Sequence, residues 1–464
     1  MEPEIFDVVV IGAGPAGENV AGRCADGGLS VVIVERELVG GECSYWGCMP
    51  SKVLLRPGDA LAAARRVPGA APAVTGVVDA GATFRLRNSF TGDWDDTGAV
   101  PWLTEHGIEL ARGAGRLDGV RTVTVEAPDG GLRRFSAARA VVLATGTGAA
   151  FPPIPGLAEV RAWDNRNATA AQEVPARLLV LGGGAIGLEI AQAFRRLGSA
   201  EVTVVEVAPR LLVREEPFAG EEVRAALEAE GIVVYTSASV ETVRRDGDGA
   251  VVMTLAGGSE FRGDELLVAT GRRPLTDDLG VDTIGLEPGG FVEVDDRLRA
   301  TGIGGEWLYA LGDCNGRSLL THMGKYQARI AADVILGKDA AATADHGAVP
   351  RVIFTDPQVG AVGLTEAQAK EAGVVVRTVR HATGATAGAA VLGQDYPGTS
   401  QLVIDEDRHT VVGATFVGPG VQELLHSATV AIVGQVPLDR LWHAVPSFPT
   451  VSEVWLRLLE AYGL

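Results

Sequence analysis

Two cysteines, Cys43 and Cys48, stand in the segment Gly40-Gly41-Glu42-Cys43-Ser44-Tyr45-Trp46-Gly47-Cys48-Met49-Pro50-Ser51-Lys52. With four residues between them, the pair closes a small ring if both lie on the first turn of a helix. That placement lowers thiol pKa through the helix N-terminus and favours a disulfide that cycles rather than staples. The other reading is two small buried hydrophobes. No second Cys or His pair has ligand spacing, so zinc is not expected and no metal site is assigned. Cys24 and Cys314 lack partners at useful spacing and read as packing residues.

The elements around the pair come from a unit that occurs twice. Phe6-Asp7-Val8-Val9-Val10-Ile11 is the β-branched run of a buried parallel strand. It enters Gly12-Ala13-Gly14-Pro15-Ala16-Gly17, then a helix-compatible stretch from Glu18 to Asp26, then Ser30 to Val34, ending in Glu35. Strand, glycine turn, helix, strand and terminal acid make a dinucleotide fingerprint. One glycine permits the turn, one lets pyrophosphate approach backbone N–H groups, and one lets helix and strand pack. The second copy is Leu178 to Leu181, then Gly182-Gly183-Gly184-Ala185-Ile186-Gly187, a helix from Leu188 to Leu197, and Glu201 to Glu206. The carboxylate at that strand end accepts hydrogen bonds from ribose hydroxyls and repels a 2′-phosphate. Glu206 therefore points to NADH, with Arg210 nearby as a partial offset that leaves NADPH possible. Each copy is followed by a similar strand end, Ala144-Thr145-Gly146 and Ala269-Thr270-Gly271.

Composition sets the outer bounds. The 464 residues amount to roughly three domains. Hydrophobic residues at 47% and charged residues at 21% exclude a disordered chain or a fibre. Glycine, 61 of 464, is about twice its usual share, which fits many tight turns. A net charge of −19 argues against nucleic acid or an anionic membrane as partner. Four cysteines exclude a disulfide-stapled secreted scaffold. The acidic start, Met1-Glu2-Pro3-Glu4, shows no secretory signal, and no membrane span is visible. A cytoplasmic protein is expected.

The order of these motifs resembles the two-dinucleotide flavoprotein disulfide reductases: dihydrolipoamide dehydrogenase, glutathione reductase and mercuric reductase. The likeness runs along essentially the whole chain, and the cysteine segment is its most specific part. It implies an α/β fold with two Rossmann-like dinucleotide-binding domains, for FAD and NAD(P), and a C-terminal α+β dimerisation domain. The expected boundaries are 1–148 for the first part of the FAD domain, 149–271 for the NAD(P) domain, 272–345 for a central part completing the FAD site, and 346–464 for the interface. For FAD the resemblance implies Gly12, Gly14, Gly17, Glu35, Arg36, Gly41, Thr145 and Gly146. Asp313 would take the ribityl chain, and Thr321-His322-Met323 would lie by the isoalloxazine carbonyls. For the nicotinamide nucleotide it implies Gly182, Gly184, Ile186, Gly187, Glu206 and Gly271. Lys52 and Glu189 match the family's ion pair beside flavin N5. The implied relay runs from NADH through FAD to a Cys43–Cys48 disulfide, with Cys48 nearer the flavin and Cys43 attacking a small-molecule acceptor. A homodimer is implied, and Gly418 to Ile432 resembles its interface helix.

One stretch departs from the family. Where such reductases carry His-Pro-Thr-x-x-Glu, this chain has Phe448-Pro449-Thr450-Val451-Ser452-Glu453. The Glu stays in the catalytic set, but Phe cannot carry a proton. Losing that acid costs disulfide reduction about 10²–10⁴-fold. His443 is a candidate substitute; its other reading is an ordinary surface or interface histidine. The chain ends Tyr462-Gly463-Leu464, without the cysteine pair of mercuric reductases, so standard mercury handling is not expected. The leading expectation is an NAD(P)H-dependent flavoprotein disulfide reductase-like enzyme acting on a disulfide or another thiol-reactive acceptor. The alternatives are a quinone or diaphorase-type reductase, which needs no leaving-thiol proton, and a flavin-binding redox subunit or sensor.

Overall fold

The computed structural model describes residues 2–464; Met1, where the acidic N-terminus begins, lies outside them. The chain divides into two compact units. One comprises Met1–Pro50, Asn88–Ala150 and Arg272–His346, and the other Ser51–Arg87, Phe151–Gly271 and Gly347–Leu464.

The first unit is built on a seven-stranded sheet. Its order is Glu109–Arg112, Val31–Glu35, Glu4–Ile11, Leu132–Leu143, Thr122–Glu126 and Ala114–Leu117, with Leu308–Ala310 also pairing Leu132–Leu143. The four strands around Glu4–Ile11 run parallel, with Val8 opposite both Val31 and Ala140. Side chains alternate between faces, and both faces are covered. Val8, Val10, Val31 and Ile33 pack with Val20, Ala21 and Cys24 of the helix Pro15–Asp26 and with Ala328, Ala331 and Ala332 of the helix Thr321–Ile335. Val9, Ile11, Val32 and Val34 pack on the other side with Phe135, Trp307 and Cys314. This is why the strands read as unbroken apolar runs. Cys24 and Cys314 are buried core residues, their thiols pushed by burial up to about 12 and about 11. After the short strand Leu308–Ala310 the chain turns in a 3₁₀ helix, Gly312–Asn315, which carries Asp313.

The second unit carries a parallel sheet in the order Ile232–Tyr235, Glu201–Val205, Arg177–Leu181 and Glu265–Val268. A three-stranded antiparallel sheet and a five-stranded one follow. The five-stranded sheet, from Arg351–Ile353 to Thr410–Gly418, packs against the helices Val421–Val433 and Val454–Tyr462. Both dinucleotide helices begin three residues earlier than the sequence pattern indicates, at Pro15 and Ala185. Gly14 and Gly184 serve as extended N-caps, and in the first copy Pro15 sits at a position whose N–H would be orphaned anyway. Among the described residues, no helix is long and apolar enough to cross a membrane.

Candidate functional site

The cysteines do not share one helical turn. Cys43 lies in the short helix Gly41–Tyr45, which ends at Trp46, and Cys48 opens the long helix Cys48–Arg65. They nonetheless meet: the two thiols share a hydrogen bond, and Cys48 Sγ is 3.2 Å from Thr321 Oγ1. The expectation of a lowered pKa fails for Cys43. Its bond with Cys48 and its burial both push the thiol up, because each favours the protonated sulfur. Cys43 is half-buried and Cys48 is the more exposed of the two.

Around the pair, the first unit assembles the first glycine fingerprint. Gly12 has φ +103°, and a Cβ on Gly17 would lie 1.9 Å from the Gly12 carbonyl, so the turn and the close helix start both demand glycine. Glu35 ends its strand with both oxygens engaged, accepting from Ala13 N and Glu37 N at 2.7 Å each. Burial nevertheless raises its pKa. Arg36 beside it is exposed, and Gly41 begins the short cysteine helix. Asp313 accepts the Thr147 hydroxyl at 2.7 Å, and burial raises its pKa. Thr321 and His322 start their helix and Met323 is buried beneath it.

These residues fit FAD. A glycine turn opens at a helix N-terminus, an acid ends the next strand, and the Thr145 hydroxyl, next to Gly146, is buried without a protein hydrogen bond. FAD would be held by Gly12, Gly14, Gly17 and Glu35 at one end, and by Asp313 and Thr321–Met323 toward the sulfurs.

The second unit repeats the arrangement closely. Gly182 has φ +115°, and a Cβ on Gly187 would lie 2.2 Å from the Gly182 carbonyl. Glu206 accepts from Gly183 N at 2.6 Å and Ala208 N at 2.7 Å, the same pattern as Glu35. Gly184 has open space where a side chain would stand, as does Gly271, and Ile186 is partly exposed. A nicotinamide nucleotide fits this cradle because a glycine turn opens at a helix N-terminus and an acid follows the next strand. Arg210 is not free to offset Glu206. Its guanidinium donates to the carbonyls of Leu211, Leu212, Val213 and Glu215 at 2.8–3.3 Å.

Lys52 and Glu189, 137 positions apart, form an ion pair at 2.8 Å. The other Glu189 oxygen accepts from Phe354 N at 2.9 Å. At the C-terminal departure, Glu453 is buried and engaged within its own unit, accepting from Ala387 N at 3.1 Å and Arg457 Nη2 at 2.6 Å. Phe448 is 78% exposed and His443 is exposed, with no hydrogen bond linking either to Glu453.

Two features escaped the sequence reading. Arg272 joins Glu42 at 2.5 Å to Thr147 at 2.8 Å, placing a cation between the cysteine segment and Asp313's partner. The signal was the Arg that directly follows Thr270-Gly271. Phe354, touching both Lys52 and Glu189, gave no signal, because it acts through a ring face and a backbone N–H. Among the described residues, no cluster of three or more His, Cys, Asp or Glu is arranged to hold a metal.

Known proteins share this layout. A family described as pyridine nucleotide-disulphide oxidoreductase matches residues 6–330, and its dimerisation domain matches residues 349–458, which supports a homodimer. Dihydrolipoyl dehydrogenase of Haloferax volcanii is 33% identical over 465 residues, covering 98% of this chain and 95% of that protein. Mercuric reductase of Streptomyces lividans is 34% identical over 449 residues, covering 94% and 93%. Among solved structures, the Cu(II) complex of the HOCl-induced flavoprotein disulfide reductase RclA from Escherichia coli aligns with a TM-score of 0.86 and 26% identity over 99% of both chains. LpdA from Mycobacterium tuberculosis shares the fold, with a TM-score of 0.87 at 23% identity over 99% of this chain and 100% of that one. Proteins of this kind are EC 1.8.1-type enzymes that use FAD and NAD(P)H. The sulfur pair, the twin nucleotide cradles and these full-length likenesses agree, and the chain belongs to the pyridine nucleotide-disulphide oxidoreductase family as an FAD- and NAD(P)H-using enzyme.

Proposed function

We propose that Cys43 and Cys48 are a dithiol–disulfide couple that carries two electrons, drawn from NADH, to a disulfide or another thiol-reactive acceptor. The observation that carries this reading is the meeting of the two sulfurs beside Thr321, at the start of a helix. Bound FAD supplies two-electron exchange between nicotinamide and sulfur. Toward a disulfide acceptor, Cys43 bonds one acceptor sulfur and releases the other as a thiol. Cys48 then bonds Cys43 Sγ, releases the second acceptor thiol and closes the ring, so two thiols leave and one disulfide forms. Cys48 is the sulfur assigned to the flavin side. It stands one helical turn before Lys52, whose cation Glu189 holds. The engaged Glu206 and the occupied Arg210 support NADH over NADPH.

Phe448 shapes the acceptor. With no proton carrier at that position, the leaving sulfur takes its proton from water, which favours acceptors with acidic leaving thiols. The same residue favours a second reading, a quinone or diaphorase-type reductase whose acceptors release no thiolate. Anaerobic titration with NADH and NADPH separates the two. Disulfide chemistry predicts a long-wavelength absorbance after two electrons, two newly alkylatable thiols, and loss of the band in Cys48→Ser. Flavin bleaching with no new thiol would leave the quinone reading standing. A panel of lipoamide, glutathione disulfide, smaller disulfides, mercuric ion and quinones then names the acceptor class.

A further inference from the structure

Lys52 is one of four lysines among 40 basic residues. Its ammonium has three neighbours: Glu189 Oε2 at 2.8 Å, Ser51 Oγ at 3.3 Å and the ring of Phe354, whose centroid is 4.5 Å away. Phe354 also donates its backbone N–H to the second oxygen of Glu189. One residue therefore touches both halves of the pair, the carboxylate through the main chain and the ammonium through the ring. The ring is itself fixed. It packs against an apolar cluster formed by Leu54 and Leu55 of the helix Cys48–Arg65, Phe84 of the helix Ala80–Phe90, and Ala193 and Leu197 of the helix Ala185–Leu197.

The two charges differ in freedom. The Glu189 side chain is 6% exposed, whereas that of Lys52 is 34% exposed and ends a flexible four-carbon stem. One carboxylate oxygen alone leaves such an ammonium free to swing toward water. Beside that oxygen and the longer contact to the Ser51 hydroxyl, the π face adds a further attraction that opposes the swing without offering a site for the proton.

We propose that Phe354 is a positioning residue for the Lys52–Glu189 pair: its ring holds the ammonium, and its N–H holds the carboxylate. The consequence for the flavin rests on the reading of Lys52 as the cation beside that group. A fixed positive charge there favours the reduced, more negative form of a bound flavin over the oxidised form.

The test uses the purified holoprotein with Phe354→Leu, Phe354→Tyr and Lys52→Met. Competitive acetylation read by mass spectrometry reports how firmly Lys52 is held, with Lys325, Lys338 and Lys370 as internal standards. Phe354→Leu is expected to raise labelling of Lys52 about 2–30-fold relative to the other three, and Phe354→Tyr, which keeps the π face, is expected to match wild type. Equilibration with a reference redox dye is expected to shift the bound flavin toward its oxidised form by about the same factor in Phe354→Leu, and at least as far in Lys52→Met. Unchanged Lys52 labelling in a Phe354→Leu protein that retains full flavin content overturns the proposal, because a purely packing role moves no single lysine. If labelling rises but neither variant shifts the flavin equilibrium, Phe354 still positions Lys52 and the placement of Lys52 at the flavin falls instead.

Discussion

At position 448 a phenylalanine ring is 78% exposed, and the nearby Glu453 carboxylate is taken by Ala387 N and Arg457. Glu453 thus joins the start of the helix Ala387–Leu392 to the last helix, a structural task independent of any histidine. Phe448→His is expected to raise turnover of a small disulfide by about 10²-fold and to leave quinone turnover unchanged. Parallel assays of the two acceptors check this, and a disulfide rate that does not rise would remove protonation from the slow step. The sulfur pair was legible in the sequence from its spacing, and Lys52 and Glu189 were legible as a pair only through the family resemblance. The contacts of Phe354 and the partners of Arg210 were not. A ring face and a guanidinium bound to four carbonyls have no sequence signature, and both were decided by what packs beside them.

At the scale of elements, the two βαβ units repeat one hydrogen-bond pattern, with an acid at the second strand end accepting from the glycine turn and from two residues onward. The helix Cys48–Arg65 meets the helix Ala185–Leu197 through charge as well as apolar contact. Arg196 pairs with Asp59 at 2.9 Å, Glu230 at 2.6 Å and Asp356 at 2.8 Å, and Arg66 also pairs with Asp356. Burial works against the Arg196 charge, but Glu230 and Asp356 more than restore it. Asp59 is left with burial outweighing Arg196 and Arg56, and with Asp356 and Glu230 adding repulsion, so its pKa rises to about 6. Its folded pKa exceeds its ordinary value of 3.8, so the folded state binds the extra proton between those limits. Stability from this group is therefore present below about pH 4 and lost as pH rises through 6. Asp59→Asn, which cannot ionise, is expected to gain about 1–3 kcal/mol on wild type between pH 4 and 7. Thermal unfolding midpoints across that range measure the difference; a constant gap between the proteins would show that Asp59 stays ionised throughout.

At the scale of the whole molecule, the matched dimerisation domain coincides with an apolar surface that the single chain leaves uncovered. The helix Val421–Val433 buries Leu424, Leu425 and Ala428 and exposes Val430 and Val433 at 55% and 61%. Val445, in the loop after the short helix Leu438–Leu441, is 83% exposed. Paired Val430→Glu and Val433→Glu substitutions are expected to yield monomers by sedimentation velocity while preserving the fold, because both residues lie off the core. A dimer that persists at micromolar concentration would place the interface elsewhere. The sequence alone determined the two glycine turns and the sulfur pair, because each depends on short spacings and on residue chemistry, whereas the reading of Phe448 as a missing proton carrier came from the family resemblance. It misjudged the setting of the sulfurs, since C-x₄-C fits one helical turn as well as two helices separated by Trp46-Gly47. Only the tertiary structure decided the partners of Glu206 and Glu453 and the contact of Lys52 with Phe354, because those contacts join residues whose separation along the chain carries no periodic signal.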